Sequence, residues 1–287
     1  MQTARIVEIS LNQSCRPPTE SSPSLPLDTL SVIIPAYNEE RRIRNTLLFL
    51  ERFCAGTFPG YEILFVDDGS TDRTWEMIQA LQNPSVRALR LPRNLGKGAA
   101  VKAGMLQARG EFRFFTDADL PYDLSAFGLA MEEFRKGHCQ AVMGSRDLPA
   151  STDRVGTSRA RKAASRIFSS LTSLALGTDI RDSQCGFKGF TARAAETLFS
   201  RSRIPGYAFD VEILVLAREL RVPVCRIPVT LVKDHDSKIR LPGDGFRMAL
   251  DLVRIYLRQR SVGSIGHSAK RKAQSADGRG KSEREVR

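Results

Sequence analysis

Short apolar segments alternate with segments of helical periodicity along most of this chain, and this alternation restricts its possible folds more than any other feature. The apolar segments predict strands at residues 31–35, 61–67, 86–91, 112–116 and 140–144. Helical periodicity follows several of them, as at residues 39–52 and 71–81. Strands that are apolar throughout and alternate with helices indicate a buried parallel sheet with helices on both faces. The sequence therefore predicts an α/β fold whose ligands bind beyond the carboxyl ends of the strands.

The two ends of the chain differ in composition from its centre. Residues 1–30 are rich in Pro and Ser and predict a flexible, disordered arm. Residues 261–287 carry seven Lys or Arg against three acidic residues and predict a disordered basic tail. Because the net charge is +12 and the tail supplies four of these charges, the folded part is itself basic. A basic surface suggests an anionic partner, which is a phosphorylated substrate, a phospholipid surface or nucleic acid.

The cysteine content argues against a disulfide framework and against a zinc site. The five cysteines are scattered without a Cys-x-x-Cys pair, and the three histidines form no ligand pair with them. No apolar run reaches the roughly 18 residues needed to cross a bilayer. Residues 1–30 also lack the hydrophobic stretch of a secretory signal. We therefore expect a cytoplasmic protein.

Acidic residues follow three of the predicted strands, at residues 36–39, 67–70 and 117–120. Asp117 and Asp119 are separated by one residue, so they can share Mg²⁺ or Mn²⁺ and leave coordination positions for a diphosphate. The alternative is that each Asp only caps a following helix. Ser70 or Thr71 could likewise cap the helix after its turn, although such a cap leaves the carboxylate of Asp68 unexplained.

A glycine-rich segment at residues 93–100 matches neither common phosphate-binding motif. Gly98 follows Lys97 where a Walker loop requires Ser or Thr, and Val101 stands where the third glycine of a dinucleotide-binding fingerprint is required. A helix that begins at Gly98 would still offer free amides beside the Lys97 ammonium. We therefore expect Lys97 to contribute to anion binding.

Eight segments together resemble known glycosyltransferases. SVIIPAYNEE, ILFVDDGSTD, RNLGKGAAVKAG and FTDADLP resemble the nucleotide-sugar half of inverting glycosyltransferase family 2. GSRD, IRDSQCGFKGFT, YAFDVEIL and DSKI resemble the dolichyl-phosphate β-glucosyltransferases within it. The resemblance implies a single GT-A domain, Rossmann-like, at residues 31–260. Residues 31–120 would form its nucleotide-sugar half and residues 121–260 an acceptor half with amphipathic helices.

The resemblance also implies roles for individual residues. The residues expected to bind the nucleotide sugar, together with Lys97, are Pro35, Ala36, Tyr37, Glu39, Val66, Asp68, Asp117, Ala118 and Asp119. Asp117 and Asp119 are expected to bind the metal. Asp119, Arg146 and Lys238 are expected to be catalytic. The candidates for acceptor or sugar binding are Gln184, Lys188, Asp210, Glu212 and Ser237. For Asp210 and Glu212 the alternative is a buried ion pair with Arg or Lys.

The implied reaction is attack of a polyprenyl phosphate on the anomeric carbon of a nucleotide-activated hexose, with inversion. UDP-glucose is the donor that the resemblance favours, and GDP-mannose or a soluble acceptor is the alternative. The second pKa of a phosphate monoester is about 6, so the nucleophile is already ionised and no general base is required. Nucleic-acid binding has only the charge in its favour and is not expected, because no motif supports it.

Two basic and apolar segments predict contact with an anionic membrane on its cytoplasmic face. The first contains Arg159, Arg161, Lys162 and Arg166 ahead of an apolar run. The second, residues 246–260, places arginines and apolar residues on separate stripes of one helix. The alternative for this second segment is a terminal helix docked on the core.

Overall fold

The computed structural model describes residues 7–10, 29–81, 83–156, 185–233 and 247–259. The strands are β1 (Val7–Ser10), β2 (Leu30–Ala36), β3 (Tyr61–Asp67), β4 (Val86–Arg90), β5 (Phe112–Phe115), β6 (Ala141–Ser145), β7 (Thr152–Asp153), β8 (Lys188–Thr191), β9 (Val224–Pro228) and β10 (Thr230–Leu231). The helices are α1 (Ile43–Thr57), α2 (Thr74–Gln79), α3 (Lys97–Gln107), α4 (Ser125–Arg135), α5 (Ala192–Phe199), α6 (Phe209–Glu219) and α7 (247–259).

Eight of the described strands form one sheet in the order β1-β4-β3-β2-β5-β8-β6-β9. Strands β4, β3, β2 and β5 are parallel, as predicted, and the predicted strand bounds agree to within one residue at each end. The chain runs outward from β2 to β3 and β4, and then crosses back to place β5 on the other side of β2. The order therefore reverses between β2 and β5, which is where ligands of open α/β sheets bind.

The outer parts of the sheet were not anticipated. Strand β8 is antiparallel to both β5 and β6, and β9 continues the sheet parallel to β6. Strand β1 pairs antiparallel with β4, so the expectation of an arm without regular structure is wrong for Val7–Ser10. The physical reason is that an edge strand offers unpaired backbone groups with which a short extended segment can pair. The predicted basic tail lies outside the described residues.

Apolar helix faces pack on the sheet. In α1 the buried residues Ile43, Leu47, Leu50 and Cys54 recur at helical spacing. The rings of Phe114 on β5 and Phe127 on α4 are 5.1 Å apart, and the ring of Phe187 lies 4.9 Å from that of Phe127. These contacts hold the carboxyl end of β5 against α4 and the segment that leads into β8.

The chain divides into two compact units, Met1–Ile239 and Arg240–Arg287, and α7 belongs to the second. Within the ranges described, no helix combines the length and the apolar character that crossing a membrane requires.

Close packing of α3 on the sheet depends on Gly104. A Cβ atom at this position would collide with the side chain of Ile33 and lie 3.0 Å from Val66. We expect Gly104→Ala to lower the free energy of unfolding by about 1–3 kcal/mol, because overpacking forces neighbours out of their rotamers. Urea unfolding measures this change. Gly128→Ala on α4 is the matched control: nothing lies within 4 Å of its added Cβ, so helix propensity should stabilise it by up to about 1 kcal/mol.

Candidate active site

The loops after β2 and β3 are joined by hydrogen bonds at the carboxyl edge of the sheet. Asn38, whose φ is +54°, accepts at Oδ1 from the Thr71 amide (2.9 Å) and donates its own amide to Ser70 Oγ (2.9 Å). The Glu39 amide donates to Thr74 Oγ1 at 2.7 Å. Ser70 and Thr71 therefore bind across to the first loop, and the expectation that either caps α2 is wrong. It is Asp72 Oδ1 that accepts from the Thr74 amide.

Asp68 connects β3 to the glycine-rich segment. Its two carboxylate oxygens accept the amides of Leu95 and Gly96 at 2.8 and 2.9 Å. Gly69, at φ +67°, lets the two segments approach, since a Cβ there would lie 2.7 Å from the Asn94 amide nitrogen. Burial raises the pKa of Asp68 to about 6, although both amide bonds oppose this shift. A helix cap at Ser70 or Thr71 left the role of the Asp68 carboxylate unexplained. The structure shows that this carboxylate positions the segment that precedes Lys97.

Lys97 and Asp117 form the central ion pair of the site. Lys97 Nζ lies 2.5 Å from Asp117 Oδ1, and about a fifth of each side chain is exposed. Burial alone would lower the pKa of Lys97, but the carboxylates of Asp117 and Asp210 raise it above its ordinary value. A Cβ on Gly186 would collide with Asp117 Oδ2, so the Asp117 carboxylate packs tightly against the chain that leads into β8.

The backbone around Asp117 and Asp119 is anchored without a helix cap. Thr46 Oγ1 on α1 donates to the Ala118 carbonyl, and the Leu120 amide donates to the Asp117 carbonyl at 3.0 Å. Helix α4 begins only at Ser125, whose amide bonds to Asp123 Oδ1 at 2.9 Å. The capping alternative for Asp117 and Asp119 is therefore wrong. Two carboxylates at one strand end are hard oxygen donors and fit Mg²⁺ or Mn²⁺.

The segment before α6 contacts the same glycine-rich segment from the other side. The Pro205 carbonyl accepts the Ala99 amide at 3.1 Å, and a Cβ on Gly98 would lie 2.7 Å from the Ile204 carbonyl oxygen. Glu212 Oε2 in turn accepts the amides of Arg203 and Ile204, each at 2.8 Å. Free amides were expected at the start of this helix, but the Ala99 amide is bonded within the protein.

Lys188 and Asp210 form a buried ion pair. Lys188 Nζ lies 2.6 Å from Asp210 Oδ1 and also donates to the Cys185 carbonyl at 2.6 Å. The Lys188 side chain is only 1% exposed, so its expected contact with an acceptor is not supported. For Asp210, the structure agrees with the alternative of a buried ion pair, here with Lys188. Burial raises the pKa of Asp210, and Lys188 and Lys97 oppose this shift.

The remaining candidates are placed as follows. Tyr37 and Glu39 are partly exposed at the end of β2, next to Pro35 and the buried Ala36. Val66 is fully buried beneath α3, so its side chain does not reach the ligand edge. Arg146 is exposed in the turn after β6. Gln184, Ser237 and Lys238 lie outside the described residues, as does the basic segment 159–166.

Sequence reasoning missed Thr46, Arg90 and Arg226. Arg90 Nε lies 3.1 Å from the fully buried Asp67 carboxylate, whose pKa burial raises. Arg226 on β9 binds Asp147 and, at 2.9 Å, Ser145 Oγ beside Arg146. Each partner is distant in sequence, so no local pattern could have identified these contacts.

Comparison with known proteins places this site in context. The family described as glycosyl transferase family 2 matches residues 31–199. The dolichyl-phosphate beta-glucosyltransferase of Drosophila melanogaster is 38% identical over 258 residues, covering 84% of this chain and 78% of that protein. The human protein of the same name is 33% identical over 260 residues, covering 83% and 79%.

Solved structures show the same fold. Glucosyl-3-phosphoglycerate synthase from Mycobacterium tuberculosis with uridine diphosphate superimposes with a TM-score of 0.60 at 20% identity, covering 80% of this chain and 79% of that one. The same enzyme with Mn²⁺, UDP-glucose and phosphoglyceric acid gives 0.60 at 19% identity, covering 80% of each. The predicted GT-A architecture is confirmed.

The raised pKa of Asp68 predicts a pH-dependent stability. Between about pH 4 and about pH 6 the folded chain binds more protons at this carboxyl than the unfolded chain, so its contribution to stability falls as pH rises. Asn carries no titrating proton. The stability of the parent relative to Asp68→Asn, measured by urea unfolding, should therefore decrease from about pH 5 to about pH 7.

Asp123→Asn is the control for this experiment, because the hydrogen bonds from Ser125 lower the pKa of Asp123. Its difference from the parent should stay constant over the same pH range. A difference for Asp68→Asn that is constant or grows with pH would mean that the two amide bonds outweigh burial.

Proposed function

Because the chain belongs to glycosyl transferase family 2 and is a glycosyltransferase, we propose that it transfers glucose from UDP-glucose to a polyprenyl phosphate, of the dolichyl type, at a membrane surface. The observation that carries the proposal is the Lys97–Asp117 pair at the point where the strand order reverses. The names of the relatives support the glucose donor and the lipid acceptor. The UDP and UDP-glucose in the solved neighbours support a uridine nucleotide.

The ends of β2 and β3 provide the nucleotide site in this proposal. Tyr37 and Glu39 are accessible there and can contact base and ribose. Asp68 acts by holding residues 95 and 96, which fixes the position of Lys97. Val66 contributes through packing beneath the site, since its side chain is buried.

Asp117 and Asp119 would hold Mg²⁺ or Mn²⁺, which supplies Lewis-acid stabilisation of the leaving diphosphate. The chain's own cations contribute the rest of the stabilisation. Lys97 is the ammonium paired with Asp117. Arg146 is accessible at the end of β6, on the acceptor half. Preorganised charges of this kind favour a transition state in which negative charge develops on the leaving group.

The acceptor phosphate needs positioning and no deprotonation, because it is ionised at neutral pH. Its main difficulty is repulsion from the donor diphosphate, which cations at the site must offset. Arg146 remains a candidate, while Lys188 does not, because it is bound to Asp210. Gln184, Ser237 and Lys238 remain proposals from the family resemblance. In this proposal the protein works on the cytoplasmic face of the membrane as a peripheral protein.

A transfer assay tests this function. The purified chain is supplied with UDP-glucose or GDP-mannose, and with dolichyl phosphate in liposomes or phosphoglyceric acid in solution. We expect glucose transfer to dolichyl phosphate from UDP-glucose, dependent on Mg²⁺ or Mn²⁺ and lost with chelator. Transfer only from GDP-mannose, or only to the soluble acceptor, would contradict the proposal.

Asp119→Ala should lower the rate of transfer by at least about 100-fold, because the leaving group loses stabilisation in the transition state. It should also remove the effect of Mn²⁺ on UDP binding in a thermal-shift measurement. Asp123→Ala is the matched control in the same loop, since Asp123 contacts the start of α4, and its transfer rate should equal that of the parent. Retained Mn²⁺-dependent turnover in Asp119→Ala would exclude the metal role.

Helix α7 supports contact with the membrane surface. Its exposed side chains are apolar as well as basic, with Val253 at 53%, Leu257 at 57% and the side chain of Arg254 at 69% exposure. Val253→Ser with Leu257→Ser should weaken co-sedimentation with anionic liposomes by about tenfold or more, because less apolar area enters the lipid. Leu129→Ser on α4, at an exposed position, is the control. Unchanged sedimentation of the double variant would leave α7 without a membrane role.

A further inference from the structure

We propose that Lys97 is an internal counter-ion that competes with a divalent cation for Asp117, and that the donor diphosphate relieves this competition by drawing the ammonium away. This inference rests on the proposed function, because it assumes a divalent cation at Asp117 and Asp119. It goes beyond that function by linking the affinity for the metal to the binding of the nucleotide. Two carboxylates alone do not imply such a link.

The Lys97 ammonium is already bound to Asp117. Lys97 Nζ lies 2.5 Å from Asp117 Oδ1, so it occupies one of the oxygens that a cation would use. Two cations within about 3 Å of one oxygen repel each other, so each weakens the binding of the other. The ammonium therefore lowers the affinity of that oxygen for a metal, and the metal binds more tightly once the ammonium has moved.

The backbone beneath Lys97 is held from both sides. Asp68 binds the Gly96 amide on one side, and the Pro205 carbonyl binds the Ala99 amide on the other. A Cβ on Gly96 would lie only 2.5 Å from that same carbonyl oxygen, so the two segments are in direct contact. With the main chain fixed, a change of rotamer in the Lys97 side chain is the movement open to it.

The Lys97 ammonium needs another anion if it is to leave Asp117. Asp210 is the other carboxylate that acts on Lys97, but Lys188 already binds it at 2.6 Å. A bound diphosphate brings new negative charge to this edge of the sheet. Moving the ammonium to the diphosphate frees Asp117 for a divalent ion, so nucleotide and metal bind cooperatively, and by linkage each raises the affinity for the other by the same factor.

Mn²⁺ binding by the full chain, measured by titration calorimetry with and without UDP, tests this inference. For Lys97→Met, which removes the charge and nearly keeps the length, we expect Mn²⁺ affinity without UDP to rise about tenfold or more. The factor by which UDP improves Mn²⁺ affinity should shrink correspondingly. Lys97→Arg retains the charge and should keep the weak Mn²⁺ binding of the parent.

Lys102→Met is the matched control, because Lys102 lies on the same helix and donates to the Ser202 carbonyl at 2.7 Å. Both of its Mn²⁺ affinities should equal those of the parent. Mn²⁺ affinity in Lys97→Met that is unchanged or lower without UDP, in a variant that keeps the parent's thermal unfolding, overturns the inference. Absence of Mn²⁺ binding by the parent even with UDP overturns the proposed metal site itself. The two failures are therefore distinguishable.

Discussion

Negative charge concentrated at one edge of a buried sheet is the constraint that the rest of the site satisfies. Carboxylates placed close together raise one another's pKa unless each has its own compensation. Four of the acids are compensated by different groups: Asp67 by Arg90, Asp68 by two backbone amides, Asp117 by Lys97 and Asp210 by Lys188. Three of these partners are cations from other elements. Contacts between different elements of the fold therefore neutralise much of this edge.

The position of the site could be predicted from the sequence, since it depends on short-range patterns. The apolar run at residues 61–67 is the strand β3 with the same bounds, and the acidic residues at its end face the predicted edge. A parallel arrangement follows from strands without polar alternation. The ligand edge follows in turn from that arrangement, without any knowledge of side-chain contacts.

The functions of individual acids could not be predicted, because they depend on partners far along the chain. Asp68 binds amides that lie 27 and 28 residues later, and Lys188 meets Asp210 across 22 residues. Lysine is ordinarily a surface residue. Lys188 is buried because β8 inserts antiparallel between β5 and β6. A strand of four residues is too short for its hydrophobic periodicity to indicate that it inserts antiparallel.

The sheet has a further property at its two outer strands. Backbone groups at an open edge can pair with another chain, and such pairing leads to aggregation. At one end β1 covers β4, and at the other β9 carries Arg226 and ends at Pro228, features that oppose strand addition. A shortened chain that begins at residue 29 would expose β4 to intermolecular pairing. The pairing of Val7–Ser10 with β4 is thus relevant to solubility, although these residues lie outside the family match.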